Sequence, residues 1–409
     1  MVTFSPDPAA AVSIETPEEL RSLYLLDPAV TFLNHGSFGA CPIPVFEEYQ
    51  AWQLQLERQP VLFIGRRQEG LLDAARARIG TFLGVSPDTL SFVVNATSGL
   101  NVIARSIHLK PGDEILTTDL EYGALDMTWD YLCKKSGASY VTQVIPVPFT
   151  TPEAIVDALW EGVTERTRAI FLSHITSGTA VILPIAEICA RARAEGILTI
   201  VDGAHAPGQI DLDLEALGPD IYSGNFHKWL QAPKGSAFLY ARPEHHAWIE
   251  SLTISWGWRD EHSFVTRNQQ QGTRDVAAFL SVPAAIDFQQ QHHWPEVRQR
   301  CHEMLSATRA RLHARLGTEP FYSNSVPNSI PPSGSGSASE STTWYSQMAL
   351  ISIPPVDDSA LKETLYNDYN IEVPLTGHGD RQFVRVSVQG YTTQADLDAF
   401  EAALITELA

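Results

Sequence analysis

Two hydrophobic patterns alternate along the first two thirds of the chain. Short, nearly continuous apolar runs rich in β-branched residues occur at Leu90–Asn95, Glu114–Thr118, Ala169–Ile175, Ile197–Val201, Asp220–Ser223 and Ser236–Tyr240. Strands buried on both faces of a parallel sheet read this way. Between them lie segments of helical period: Val45 to Leu56, Arg66 to Leu83 (with Leu71, Ala75, Ile79 and Phe82 on one face), Pro152 to Glu161, and Pro184 to Ala194. Thr16-Pro17-Glu18-Glu19 has the form of a capped helix start, and Tyr140 to Phe149 reads as a proline-rich strand. Strands alternating with helices predict an α/β fold with a large domain built on a mostly parallel sheet. We place that domain at residues 31–282, a smaller α+β C-terminal domain at 283–409, and an N-terminal segment, 1–30, packing on the smaller one. The Ser/Pro/Gly-rich run 323–341 cannot build a core and is expected to be a flexible insertion.

Charge narrows the partners. The 409 residues carry 28 basic and 48 acidic side chains, a formal charge of −20, which argues against nucleic acid or an anionic membrane surface. Cys41, Cys133, Cys189 and Cys301 have neither CxxC nor metal-site spacing, so no metal site and no disulfide framework is expected and a reducing cytoplasm fits. The N-terminal stretch has no basic region followed by an apolar one, and no uninterrupted apolar span of membrane length occurs.

The candidate chemistry sits at predicted strand ends, where ligands of open α/β sheets bind. The Ile197 run delivers Asp202, and the next strand leads to Asn225, His227 and Lys228. An isolated lysine is most often a surface charge. Paired with a buried acid it suits pyridoxal phosphate chemistry: the amine holds the cofactor aldehyde, and the carboxylate keeps the pyridine nitrogen protonated so that the ring accepts electrons. Asn95-Ala96-Thr97-Ser98 opens a helix directly after a strand, and free N–H groups and hydroxyls there suit an anion; Ala96, Thr97 and Ser98 are the candidate phosphate site. In TFLNHGSFGACP, Thr31 to Pro42, glycines permit close backbone approach to a ligand.

The motifs LNHGSFG, NATSGLN, EYGA, SHITS, VDGAH, HKW, QGTRD and RVSVQGY together resemble the class V aminotransferase superfamily of fold-type I pyridoxal phosphate enzymes, and within it the isopenicillin N epimerase-like group. The resemblance implies a fold-type I architecture, Lys228 and Asp202 as catalytic residues, and Tyr122 stacked on the pyridine. It implies His205 on the cofactor's phenolic oxygen, Ser177 facing the cofactor with Thr176 as a neighbouring candidate, and Asn225 and His227 on the phosphate. A charged His227 would there explain tight cofactor retention. It implies Thr273 completing a partner's site across a homodimer interface, and Arg385 forking onto a substrate α-carboxylate, with Asn34, His35 and Ser37 in a loop over the substrate. Cysteine desulfurases carry a nucleophilic cysteine shortly before that arginine; here the segment is Leu375-Thr376-Gly377-His378-Gly379-Asp380-Arg381, without one. The expected activity is α-proton removal from an amino acid. Epimerisation ranks first, with Cβ–S lysis or transamination as alternatives, and His35 and Tyr122 are the candidates for a second base.

Overall fold

The structure, a computed structural model, describes residues 14–259, 263–323 and 343–409. All but the first residue of the expected insertion lies outside them. Seven strands form the large sheet: β1 (Leu90–Val93), β2 (Glu114–Thr118), β3 (Ser139–Gln143), β4 (Thr167–Ser173), β5 (Leu198–Asp202), β6 (Ile221–Asn225) and β7 (Ala237–Ala241). Their spatial order is β1-β7-β6-β5-β4-β2-β3. The pairs from β6 through to β3 are parallel, whereas β7 runs antiparallel to both its neighbours, β6 and β1.

Alternate residues of each strand feed different cores. Leu116, Ile170, Leu172 and Val201 join one cluster, while Ile115, Ala169, Phe171 and Ile200 join the other, so both faces of the central strands are covered, whereas the edge strand β3 is partly exposed. Helix α1 (Ile43–Arg58) precedes α2 (Gln68–Leu83), which buries Leu72, Ala75, Ile79 and Leu83 rather than the Leu71 and Phe82 of the predicted face. Helices α3 (Ala96–Ser106) and α4 (Gly123–Ser136) cover the sheet, the latter burying Trp129 against Phe171. The predicted strand after Tyr140 ends at Gln143; the prolines beyond it withhold ladder N–H groups.

A second, three-stranded antiparallel sheet consists of β8 (Met348–Ile353), β9 (Leu375–His378) and β10 (Arg381–Ser387) in the order β9-β10-β8. Thr16 caps a short helix, Pro17–Arg21, through a reciprocal capping box with Glu19. Arg21 then pairs at 2.9 Å with Asp396 of the last helix, α5 (Gln394–Leu408). No helix among the described residues is long and apolar enough to cross a membrane.

Candidate active site

The chain's winding reverses between β2 and β4, which are neighbours although β3 lies between them in sequence. The segments that leave β2, β4, β5 and β6 at their carboxyl ends carry Glu121 and Tyr122, Ser177, Asp202 and His205, and Lys228 respectively. This is the crevice in which open α/β sheets bind ligands.

Asp202 is the last residue of β5 and is 4% exposed. One of its oxygens accepts the Ala204 N–H at 2.8 Å. Burial pushes its carboxyl up to about 6, opposed by that hydrogen bond and by the Lys228 charge. Burial, with the Arg385 charge, draws the Lys228 ammonium down to about 8. Lys228 Nζ lies 3.0 Å from His205 Nε2. Because only the unprotonated amine attacks an aldehyde, capture of pyridoxal phosphate by ligand-free protein should accelerate as pH rises through about 8 and level off above it. Stopped-flow absorbance across pH 6 to 10 reads this directly, and a rate still climbing tenfold per unit at the alkaline end would contradict it.

At the start of α3 the Asn95 side chain accepts the Ser98 N–H at 2.7 Å, and Asn225 Oδ1 accepts the Ala96 N–H at 2.8 Å. Ala96 is therefore not a free donor, a correction to the expected phosphate set, and Asn225 serves through its other amide atom or not at all. The Thr97 N–H and the half-buried Thr97 and Ser98 hydroxyls have no hydrogen-bond partner among the described residues, which is what an anion site requires. His227 Nδ1 donates to the Ser236 carbonyl at 3.0 Å, and burial lowers its pKa to about 4. Burial thus favours the neutral ring in the ligand-free protein, and the charged form that would explain tight cofactor retention is not preformed.

Arg385, in β10, is 5% exposed, and burial lowers its pKa to about 10, which leaves it charged at neutral pH. Its Nη1 donates to the Ser177 carbonyl, and its Nη2 donates to Ser37 Oγ at 3.0 Å. Ser37 in turn donates to Asn34 Oδ1, while Asn34 Nδ2 donates to Glu372. Asn34 thus braces the arginine both through Ser37 and directly, its Oδ1 accepting from Nη2 at 3.5 Å, where the sequence suggested contact with substrate. Among the described residues the buried Arg385 Nε has no hydrogen-bond partner, and a carboxylate would supply one.

His35 is corrected outright. It is fully buried, with Nε2 donating to the Lys228 carbonyl at 3.0 Å and Nδ1 accepting from Tyr391 Oη at 2.8 Å. Burial lowers its pKa to about 3, so it neither reaches a substrate nor serves as a second base. The glycines of its loop approach the protein itself. Gly39 has φ +72°, and a Cβ there would stand 2.1 Å from the His227 carbonyl oxygen. Thr176 is buried in a turn, bonded to Thr179 and Val181, and His174 is a core histidine bonded to Tyr222. Tyr122 precedes α4 and is 44% exposed; Thr273 is also exposed.

Two site residues escaped the sequence reading. Glu121 accepts from Thr118 Oγ1 and from both the backbone and hydroxyl of Ser173, the residue in register with Asp202 on β4. Burial, reinforced by Asp202, pushes its carboxyl up to about 8. Its position beside Tyr122 was its only sequence signal. Trp229, fully buried, donates from its indole to His205 Nδ1 at 3.2 Å. The free donors of α3, the strand-end acid and the lysine beside it fit pyridoxal phosphate in donor chemistry and order.

Fold and crevice together define a fold-type I pyridoxal phosphate enzyme. The Aminotransferase class-V family matches residues 46–333, and the chain belongs to that family, within its isopenicillin N epimerase-like group. It is 36% identical to an isopenicillin N epimerase of Amycolatopsis lactamdurans over 94% of this chain and 96% of that one. It is 27% identical to a probable chloroplastic L-cysteine desulfhydrase of Arabidopsis thaliana, over 92% of this chain and 83% of that one. Among solved structures, the apo cysteine desulfurase of Thermococcus onnurineus NA1 superposes with a TM-score of 0.79 at 18% identity, covering 97% of this chain and 99% of the other. The cofactor is pyridoxal 5′-phosphate.

Proposed function

We propose that the protein is an amino-acid epimerase or racemase that works as a homodimer, with Thr273 of each protomer completing the other's phosphate site. The observation that carries the reading is the braced guanidinium of Arg385, whose Nε has no partner among the described residues, set within electrostatic reach of Lys228. A substrate carboxylate on that arginine fixes which of its bonds faces the lysine. Pyridoxal phosphate supplies the electron sink beside Cα. Thr97 and Ser98 would donate to its phosphate, Asp202 would hold a proton on the ring nitrogen, His205 would donate to the phenolic oxygen, and Tyr122 would lie against the ring. Lys228, as a free amine, would take the Cα proton. Return of a proton from the opposite face inverts the centre, for which Tyr122 is the remaining candidate acid. Similarity to the epimerase of Amycolatopsis supports inversion over other outcomes.

A second reading, Cβ–S lysis, is favoured by the similarity to the Arabidopsis desulfhydrase. Sulfur chemistry at a protein thiol is disfavoured in either case. Burial pushes Cys41, Cys189 and Cys301 up to about 12 and Cys133 to about 11, far from a reactive thiolate.

Loaded protein incubated in deuterated water with L-amino acids and cysteine conjugates separates the readings. Cα deuterium with inverted chirality and no pyruvate is the expected result. Pyruvate with a released sulfur fragment would replace it with the lyase, and amino transfer to a keto acid would replace both.

A further inference from the structure

Three side chains form a line into the crevice. Trp229 Nε1 donates to His205 Nδ1 at 3.2 Å, and His205 Nε2 stands 3.0 Å from Lys228 Nζ. Trp229 is fully buried and His205 is 2% exposed, so water replaces neither contact. Their backbones are also fixed, the His205 carbonyl accepting from Gln209 and the Trp229 carbonyl from Gln289, each at 2.8 Å.

Donor and acceptor roles then follow. An indole N–H can only donate, so His205 Nδ1 presents its lone pair. A neutral imidazole carries one proton, which the indole thereby confines to Nε2. Burial, with Lys228 and Arg385 nearby, keeps the ring neutral. Nε2–H faces Lys228 as a donor, and an ammonium there has nothing with which to accept it, whereas a free amine does. The opposite tautomer would turn a lone pair toward an ammonium and leave the Trp229 and His205 N–H groups facing one another.

We propose that Trp229 is a positioning residue for the cofactor lysine: its indole fixes the His205 tautomer that presents Nε2–H to Lys228, so that the pocket selects the unprotonated amine. The same tautomer offers a donor, never an acceptor, to the cofactor's phenolic oxygen. The inference rests on Lys228 being the lysine that binds the cofactor. The other charged groups facing that amine are Asp202 from β5 and Arg385 from β10, and neither depends on the indole.

The test begins with nitrogen-15 spectra of histidine-labelled, ligand-free protein, the His205 signals being assigned by their loss in His205→Gln. The protonated nitrogen should be Nε2; protonation at Nδ1 in the wild type would overturn the proposal without any variant. Trp229→Phe keeps an aromatic ring, though a smaller one, and removes the donor. Its midpoint for pyridoxal phosphate capture should move alkaline by about one pH unit, close to tenfold slower capture below the midpoint. In the His205→Gln background the amide has no tautomer to fix, and Trp229→Phe should leave the midpoint where it is. An equal shift in both backgrounds would mark Trp229 as packing alone and overturn the role. Lys228→Ala separates the two levels: if that variant still acquires the absorbance of covalently bound cofactor, the lysine assignment fails, whatever the spectra say of His205.

Discussion

Lys228→Ala should abolish turnover, a loss of at least about 10⁴-fold, because one change removes both the covalent anchor for the cofactor and the base for the Cα proton. The fold should survive. The lysine backbone is held independently of its side chain, by His35 on its carbonyl at 3.0 Å and by the close approach of Gly39. The variant should therefore melt close to the wild type, bind pyridoxal phosphate only reversibly, and lack the absorbance of covalently bound cofactor near the visible edge. Retained absorbance, or turnover above about a hundredth of normal, would remove Lys228 from the role.

Asp202→Asn tests the other end of the ring. The side-chain oxygen that accepts the Ala204 N–H is kept, so the turn after β5 need not move, while the negative charge is lost. In the ligand-free protein burial holds this carboxyl near 6, and a cation against it favours ionisation. A protonated ring nitrogen is such a cation. Without the charge the ring is a weaker electron sink, and kcat should fall about 10²–10³-fold with a much smaller change in KM. Steady-state kinetics at saturating cofactor decide the point, and near-normal kcat would show that Asp202 is only the cap of its own turn.

The sheet was legible because its central strands β4 and β5 are largely apolar runs ended by a polar residue; β5 was placed within one residue of its observed bounds, and its terminal acid followed. Direction was not legible. The sequence of β7 reads no differently from those of the parallel strands, and only pairing shows that it runs antiparallel to both its neighbours. The face of α2 slipped by one position because Leu71-Leu72 and Phe82-Leu83 are adjacent apolar pairs that satisfy the period either way. His35 was misread because its cover comes from elsewhere: Tyr391, 356 residues away, turns a loop histidine into a buried strut. Glu121 went unseen for the same reason, since what buries it is the next strand of the sheet, β4. Asn34 was placed in the right neighbourhood but given the wrong partner, because an amide can face a ligand or brace an arginine and composition does not distinguish the two.

The strut at His35 has a bearing on how this protein can be rebuilt. One ring nitrogen holds the backbone of the cofactor lysine and the other holds Tyr391, while the guanidinium six positions before that tyrosine rests on Ser37. A fragment cut to the family's matched span, residues 46–333, would retain Asp202 and Lys228 yet lose Ser37, His35, Arg385 and Tyr391. The catalytic crevice is accordingly not a portable cassette. Circular permutants and chimaeras should place their junctions outside Leu33–Gly39 and Phe383–Tyr391, since these two ribbons, nearly a chain length apart, act as one clasp.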